Sequence, residues 1–351
     1  MSFDYPFYLA STLSLPANDF QVDILTGGLT NLTARASFAR PLVLFDLPQL
    51  FTSVILKYAP PFIASDPIQP MSVHRQVIEA TALRYLAENA RIQALLQEFP
   101  DIRIPQLIHH DTGANVLWIT DLGSSSQMLS TFLASCSPEN VTAIRENASA
   151  FGAFMAKFWD ITAEPTPETL ASLSRPEDPN TDAEELASRV AAAMQTKQPA
   201  EPCLAMVDFW TGSVLVGPGS SRGLVDWEYF GLSTSGAEIG MFVAHLHLLL
   251  QYKTSTLGVA EVVEAFLSAF LDAYAAHAPP SSQYLKRQAL IAYGREMITA
   301  AEFFAAELSE EAQTRVVSIG VASLRAAGGS DNELSPQVAT DSITRLWRGG
   351  I

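Results

Sequence analysis

Two carboxylates in the second half of the chain have the spacing of metal ligands. Asp226 and Glu228 stand two positions apart in the segment 223–230 (GLVDWEYF), directly after a short apolar stretch. On an extended segment such residues point to the same side, so both carboxylates can bind Mg²⁺. A solvated acidic turn is the alternative. Because the segment is otherwise apolar, we favour a metal site.

A further acidic residue, Asp208, lies five positions before Ser213 in the segment 204–216 (LAMVDFWTGSVLV). This spacing matches D-x-x-x-x-N with serine in place of asparagine, the frame in which a kinase catalytic loop presents a base and a metal ligand. The frame predicts Asp208 as the base and Ser213 as a metal ligand. Trp210, just after the base, either stacks on a substrate ring or packs in the core.

Lys57 closes the apolar segment 53–57 (SVILK). The pattern is that of the strand lysine that binds nucleotide phosphates in kinases, and an ordinary lysine on an edge strand is the alternative. A phosphate-binding lysine needs a carboxylate to hold it. Glu79 follows on or next to the apolar side of a predicted helix, where a carboxylate without a partner would be costly. We therefore predict that Glu79 pairs with Lys57.

The segment 25–31 (LTGGLTN) lies between two strand-like stretches. Gly27 and Gly28 allow the backbone to approach phosphate oxygens closely, and the amides of such a turn can donate hydrogen bonds to them. From these residues alone, a plain hairpin turn is the simpler interpretation.

The charge balance excludes two classes of partner. Lys and Arg number 21 against 37 Asp and Glu, a formal net charge of −16. Non-specific binding to nucleic acid or to an anionic membrane requires positive charge, so we expect neither and predict a small-molecule partner, with a cation favoured. No stretch reaches the roughly 18 apolar residues of a membrane span. Cys136 and Cys203 are isolated, which favours buried thiols and a cytoplasmic location.

The predicted elements form two regions that can hold these residues. The chain has 351 residues, of which 48% are hydrophobic and 17% charged, enough for one large two-lobed unit. Strand patterns at 22–25, 52–56 and 116–120 and one helical pattern from 73 to about 96 precede Asp121. Helical patterns dominate after it, so we predict an α+β protein with a small β-rich lobe and a larger helical one.

The order of these motifs resembles the aminoglycoside phosphotransferase and choline kinase superfamily over nearly the whole chain. The segments 206–216 and 238–242 (EIGMF) are most similar to the methylthioribose kinase branch and to fungal 4-hydroxytryptamine kinases. The resemblance implies a bilobal protein-kinase-like fold, with an N-lobe over residues 1–120 and a mainly helical C-lobe over residues 121–351.

The same resemblance implies a role for each motif residue. Asp208 would orient and deprotonate the acceptor hydroxyl, and the backbone near Asp121 and Leu122 would receive adenine. The remaining roles would be a phosphate turn at Gly27, Gly28 and Asn31, phosphate binding by Lys57 held by Glu79, and Mg²⁺ ligands at Asp226, Glu228 and Ser213.

Some positions depart from the superfamily's pattern. Met206 and Val207 stand where most members have His-Gly before the aspartate, and we expect Met206 to replace the histidine by packing. Ser213 also occurs in methylthioribose kinases, whose Asp-Pro-Glu is Asp-Trp-Glu here. Glu238 replaces an aspartate conservatively.

The resemblance implies an ATP- and Mg²⁺-dependent kinase that phosphorylates a hydroxyl of a small metabolite, such as a hydroxylated amine or a sugar, in secondary metabolism. Trp210 and Glu302 are candidates to contact the substrate, and a solvated surface charge is the alternative for Glu302. Two other functions stay open: an inactive pseudokinase or ligand-binding module, and a kinase scaffold that catalyses another reaction.

Overall fold

The computed structural model describes residues 3–167, 169–170, 201–280 and 282–328. Its strands are β1 (Phe20–Leu25), β2 (Leu32–Val43), β3 (Leu50–Tyr58), β4 (Phe62–Ile63), β5 (Asp66–Pro70), β6 (Ile102–Arg103), β7 (Leu107–Asp111), β8 (Val116–Thr120), β9 (Gln127–Met128), β10 (Cys203–Ala205), β11 (Val214–Val216), β12 (Arg222–Leu224) and β13 (Gly231–Ser233). Its α-helices are α1 (Tyr5–Leu13), α2 (Arg75–Glu88), α3 (Ala90–Glu98), α4 (Leu129–Ser135), α5 (Val141–Ile161), α6 (Ser235–Leu249), α7 (Leu257–His277), α8 (Gln283–Phe303) and α9 (Glu310–Gly328). Parts of the predicted C-lobe, at 171–200 and 329–351, lie outside the described residues.

The N-terminal region is built on an antiparallel sheet with the strand order β1-β2-β3-β8-β7. Side chains alternate between the two faces of a strand. On β3, Val54 and Leu56 are fully buried in a small core that α1 covers. Lys57 therefore points to the opposite face. Since β3 lies between β2 and β8, the edge-strand interpretation of Lys57 is wrong.

The helical pattern predicted from 73 to about 96 forms two helices instead of one. The break is at Asn89, whose side chain accepts hydrogen bonds from the amides of Arg91 and Ile92 and so caps the start of α3. The first of the two helices, α2, buries Ile78 and Leu83 in the larger core of the molecule. Glu79, next to Ile78, is only 1% exposed.

The larger core lies among the helices that follow the sheet. Aromatic rings from α5, α6, α7 and the segment after β10 pack against one another in its centre, as in the stacked rings of Phe209 and Phe242, whose centroids are 4.5 Å apart. Met206 belongs to this core at 1% exposure, as expected for a residue that replaces histidine by packing. The α+β class with a β-rich N-terminal region and a helical C-terminal region is confirmed.

Helices α6 and α8 approach each other closely because of a glycine. A Cβ atom at Gly240 would lie 2.3 Å from the carbonyl oxygen of Ala289, so no larger residue fits at this crossing. Farther along the two helices, this close approach brings His245 of α6 and Glu296 of α8 within hydrogen-bonding distance.

Two simple sequence predictions can be compared directly with the structure. Cys136 and Cys203 are both free thiols, and Cys203 is buried whereas Cys136 is only half-buried. Among the helices described, none is long and apolar enough to cross a membrane.

Candidate active site

Two short antiparallel strand pairs, β10 with β13 and β11 with β12, hold two acidic loops side by side. The first acidic loop carries Asp208, and the second carries Asp226 and Glu228. The chain leaves β10, passes through Asp208, enters β11, returns along β12, passes through Asp226 and Glu228, and pairs back onto β10 through β13. The Val225 amide donates to the carbonyl of Ser213 over 3.0 Å. This topology brings together residues that are about twenty positions apart in the sequence.

The backbone is strained at both loops. Val207, directly before Asp208, has φ of +66°, and Asp226 has φ of +72°. A left-handed conformation costs about 1–2 kcal/mol for a residue other than glycine, and such strain persists only when surrounding contacts hold it. Glu238 provides one such contact, since its Oε2 accepts a hydrogen bond of 3.1 Å from the Val207 amide.

Asp208 is a half-buried carboxylate among other acidic groups. Burial is the main cause that raises its pKa to about 7, and the nearby charge of Asp226 adds to the effect while His245 opposes it. A general base works best when its pKa lies near the working pH. The environment of Asp208 therefore suits proton transfer at neutral pH.

Glu238 was noted in the sequence only as a conservative replacement, and the structure gives it a specific contact. It lies at the start of α6, is 3% exposed, and accepts hydrogen bonds from Ser233 Oγ (2.7 Å) and from the Val207 amide. Burial raises its pKa to about 7, although both hydrogen bonds lower it. Glu238, at the start of α6, thus anchors the loop that carries Asp208.

We predict that Glu238→Ala lowers kcat, whereas Glu238→Gln largely retains the wild-type kcat, because glutamine can accept from the Val207 amide and donate to Ser233. The folded-state pKa of Glu238 is raised, so its stabilising contribution is complete below about pH 4.5 and is lost as the pH rises through about 7. The wild-type free energy of unfolding should therefore fall more between pH 5 and pH 8 than that of Glu238→Gln, by up to about 3 kcal/mol. Urea denaturation across this pH range checks the result, and equal slopes for the two proteins would contradict it.

The predicted Lys57–Glu79 pair is present. Lys57 Nζ lies 2.8 Å and 2.6 Å from the two carboxylate oxygens of Glu79, and 2.8 Å from Oδ1 of Asp226. Burial alone would lower the pKa of Lys57, but the negative charges of Asp226, Glu79 and Glu228 raise it well above its ordinary value. The ammonium group of Lys57 therefore connects the N-terminal sheet with Glu79 on α2 and with Asp226 in the second acidic loop.

Three carboxylates form the group of oxygens best suited to a cation. Ligand atoms of Glu79, Asp226 and Glu228 all lie within 4.8 Å of one another. Ser213 is not one of these three residues, and its hydroxyl donates to the Trp210 carbonyl (2.8 Å) and accepts from the Trp210 amide (3.1 Å). The Ser213 hydroxyl is therefore engaged within its own loop, whereas the side chain of Asp226 is one-third exposed.

The glycine turn is tied to this carboxylate group. Thr30 Oγ1 donates to Glu228 Oε1 over 2.6 Å, and Asn31 Nδ2 donates to Glu228 Oε2. Arg75 supports the turn by donating to Asn31 Oδ1 (3.1 Å) and to the Thr30 carbonyl (3.1 Å), with its Nε 3.8 Å from Glu228. Thr30 and Arg75 were not singled out from the sequence, because neither has a distinctive spacing.

Gly27 has a backbone conformation in which any other residue would be strained. Its φ is +104°, and a Cβ there would lie 2.2 Å from Cε of Met128. Gly28 is less constrained, since its Cβ would be at ordinary contact distance from its neighbours. The first glycine thus allows the turn between β1 and β2 to lie against Met128 of β9.

The residues after β8 are held by the N-terminal sheet. The Asp121 carboxylate forms an ion pair of 2.7 Å with Arg35 and accepts from Ser53 Oγ over 2.8 Å. Burial by itself would raise the pKa of Asp121, but these contacts outweigh it, and the pKa is lowered. The carbonyl of Leu122 accepts a hydrogen bond of 2.8 Å from Arg103. Adenine binding by the backbone here stays a prediction.

The two predicted substrate residues lie in different environments. The Trp210 ring is half-buried and lies 5.1 Å from the His245 ring, centroid to centroid. Glu302 is exposed on the last turn of α8. A turn and a half earlier on the same helix, Glu296 lies 3.0 Å from Nε2 of His245. Sequence patterns did not identify His245 or Glu296, because their pairing depends on how α6 crosses α8.

Comparison with known proteins agrees with this geometry. A 4-hydroxytryptamine kinase of Psilocybe cubensis is 26% identical over 365 residues, covering 96% of each chain. The enzyme of the same name from Psilocybe cyanescens is 25% identical over 309 residues, covering 80% of this chain and 81% of the relative.

The solved structure of the gentamicin–APH(2")-IIa complex has a TM-score of 0.50 at 13% identity, covering 93% of this chain and 97% of that one, which supports the protein-kinase-like fold. Residues 73–282, more than half of the chain and including both acidic loops, match the phosphotransferase enzyme family (APH). The chain therefore belongs to the phosphotransferase enzyme family and is a small-molecule phosphotransferase.

Proposed function

We propose that this protein transfers the γ-phosphoryl group of ATP, with Mg²⁺, to a hydroxyl group of a small metabolite, a hydroxylated amine in preference to a sugar. The observation that carries the proposal is the convergence of Asp208, Lys57 and Asp226, from three separate parts of the chain, at one site. Each has the chemistry that phosphoryl transfer needs: a base, a phosphate-binding cation and a metal ligand.

The oxygens present fit Mg²⁺. This ion prefers hard oxygen ligands at about 2.0–2.1 Å, and carboxylates are its usual protein ligands. Asp226 and Glu228 would hold it, with Glu79 engaged by Lys57. When bound, Mg²⁺ supplies positive charge that neutralises the triphosphate.

The protein's own groups would then perform the transfer. Lys57 holds phosphate oxygens while Asp208 orients the acceptor hydroxyl and takes its proton. The acceptor oxygen forms a bond to the γ-phosphorus as the bond from that phosphorus to the bridging oxygen breaks, and ADP leaves. Positioning and charge neutralisation supply most of the rate in this chemistry.

An amine acceptor is favoured over a sugar for two reasons. The chain is strongly acidic, with a net charge of −16, and two relatives that align along most of it are named for a hydroxylated arylalkylamine. A cationic substrate is attracted to a strongly acidic protein.

The proposal is tested by incubating the protein with ATP, Mg²⁺ and a panel of hydroxylated amines and sugars. Mass spectrometry should detect the gain of one phosphoryl group on an amine, and ADP should form in equal amount. Phosphorylation of sugars alone would contradict the amine preference, and no product from any acceptor would contradict the proposed transfer.

A nucleotide-binding protein without transfer is the alternative, supported by the altered catalytic loop with Met206, Val207 and Ser213. Thermal shift measurements with ATP plus Mg²⁺ and with ATP plus EDTA separate binding from metal dependence. Stabilisation by ATP without ADP formation from any acceptor would favour this alternative.

We predict that Glu228→Gln lowers kcat at least about tenfold more than Ser213→Ala, since losing a direct metal ligand costs over about 1.4 kcal/mol. The Ser213 hydroxyl bonds the backbone of its own loop. The Glu228 carboxylate accepts from Thr30 and Asn31, but it is charged and keeps a second lone pair on each oxygen for a cation. The measurement is kcat across a Mg²⁺ titration.

Asn31→Ala is the control for the Glu228 prediction, because it removes a hydrogen bond to Glu228 but keeps the carboxylate. Asn31→Ala should retain the Mg²⁺ dependence that Glu228→Gln changes. If Ser213→Ala is as damaging as Glu228→Gln, the serine is itself an essential ligand and this account of the metal site is wrong.

A further inference from the structure

The pair formed by Glu296 and His245 is a second polar group, between helices α6 and α8. His245 Nε2 and Glu296 Oε1 are 3.0 Å apart, and the side chains are 8% and 17% exposed. A carboxylate only accepts hydrogen bonds, so Nε2 of His245 is the donor. In the part of the chain that the structure describes, His245 is the one hydrogen-bond partner of Glu296, which leaves Oε2 able to accept from another molecule.

The pair is built by the packing of two helices and not by a surface loop. His245 is on α6 and Glu296 is on α8, and the close crossing at Gly240 and Ala289 precedes them by about one or two turns. The carboxylate is therefore held on rigid elements, which is how recognition sites are positioned precisely enough to select a ligand.

A chain of contacts connects this pair to the catalytic base. Trp210 is two residues after Asp208, and its ring lies 5.1 Å from that of His245. On the other side, the Phe304 ring meets His245 edge-on at 5.9 Å. Glu296 and His245 are also close enough to Asp208 to affect its pKa in opposite directions.

The chemistry of this group fits a cationic ligand. Asp208 and Glu296 supply two carboxylates, and poorly solvated carboxylates need compensating charge. Trp210 and Phe304 supply ring surface, to which an ammonium group or an aromatic ring binds favourably. A neutral sugar could donate hydrogen bonds to these two carboxylates but would not neutralise their negative charge.

We infer that Glu296 Oε2 binds the ammonium group of the acceptor, and that His245 is a positioning residue that holds Glu296 in place beside Trp210 and Phe304. This inference rests on the proposed function, since it assumes that the hydroxyl of the same acceptor lies at Asp208. It assigns the amine selectivity to Glu296 on α8 and not to the exposed Glu302.

The test compares a hydroxylated arylalkylamine with its uncharged analogue, in which a hydroxyl replaces the amine. Glu296→Gln should lower kcat/KM for the amine about 10- to 100-fold more than for the uncharged analogue, the range for a hydrogen bond to a charged group. The KM for ATP should not move. His245→Ala should raise the KM for the amine more than it lowers kcat.

Glu261→Gln on α7 is the matched control, because it removes one exposed negative charge elsewhere in the helical region. It should not change the preference for the amine. An equal loss for both acceptors in Glu296→Gln, or a selective loss in Glu302→Gln instead, would overturn the inference. Melting temperatures show whether each variant is folded.

A binding experiment separates this inference from the proposed function. Calorimetric titration of the amine is done on Asp208→Asn and on Asp208→Asn with Glu296→Gln, so that no turnover is needed. Weaker amine binding in the double variant supports the role of Glu296 even if no acceptor is phosphorylated. Equal binding in both proteins contradicts it, whatever the activity assay shows.

Discussion

Replacing Asp208 with asparagine is expected to lower kcat by about 10²- to 10⁴-fold, the usual contribution of a positioned general base. ATP binding should be unchanged, because Asp208 acts on the acceptor hydroxyl, whereas the proposed phosphate contact is Lys57. Single-turnover measurements give the rate, and calorimetry with a non-hydrolysable ATP analogue gives the affinity.

The same substitution is expected to stabilise the fold at alkaline pH. Burial, with the charge of Asp226, raises the pKa of Asp208 to about 7 from an ordinary value near 3.8. Its stabilising contribution is therefore complete below about pH 4 and is lost as the pH rises through 7. At pH 8, asparagine avoids a negative charge beside other carboxylates, so the variant should melt at a higher temperature than the wild type.

Asp208→Ala is the control for both results. Like Asp208→Asn it removes the carboxylate, but unlike asparagine, alanine does not keep the shape of the side chain. A fully active Asp208→Asn would exclude Asp208 as the base. An Asp208→Asn protein that is inactive and no longer binds the ATP analogue would mean that the substitution disturbs the nucleotide site and not the acceptor alone.

Replacing Lys57 with alanine is expected to raise the KM for ATP strongly and, unlike the loss of a surface lysine, to destabilise the fold. Lys57 is 7% exposed and contacts Glu79, which is 1% exposed, and Asp226. Breaking a buried ion pair by removing one partner typically costs about 3–5 kcal/mol, because the other charge is left without compensation. Protonation of Glu79 would reduce this cost at low pH.

The double variant Lys57→Ala with Glu79→Gln separates the two effects. It removes the uncompensated charge of Glu79, so the free energy of unfolding should recover in part while the KM for ATP stays high. Urea denaturation and steady-state kinetics on all four proteins of the cycle measure both quantities. An unchanged KM in Lys57→Ala would exclude the phosphate-binding role.

The sequence determined much of the architecture because its signals are local. The apolar run at 116–120, rich in β-branched and aromatic residues, predicted β8, three-to-four spacing predicted a helix from residue 73, and helical patterns predicted the helices after Asp121. The Lys57–Glu79 pair was also predictable, because a charged residue within an apolar pattern implies a buried partner. The helix break at Asn89 was missed, since a capping residue is weak evidence unless the apolar pattern also changes.

Only the tertiary structure decided which distant side chains meet. Glu238 contacts the Val207 amide because β13 returns the chain to β10, and Thr30 and Asn31 reach Glu228 from the turn between β1 and β2. On α8, Glu302 and Glu296 are equally plausible in sequence, yet Glu302 is exposed and Glu296 pairs with His245. The spacing of apolar residues defines which face of a helix is buried. The crossing of α6 over α8 decides which part of that face contacts another element. This crossing depends on close packing between residues far apart in the chain, so the local sequence does not contain it.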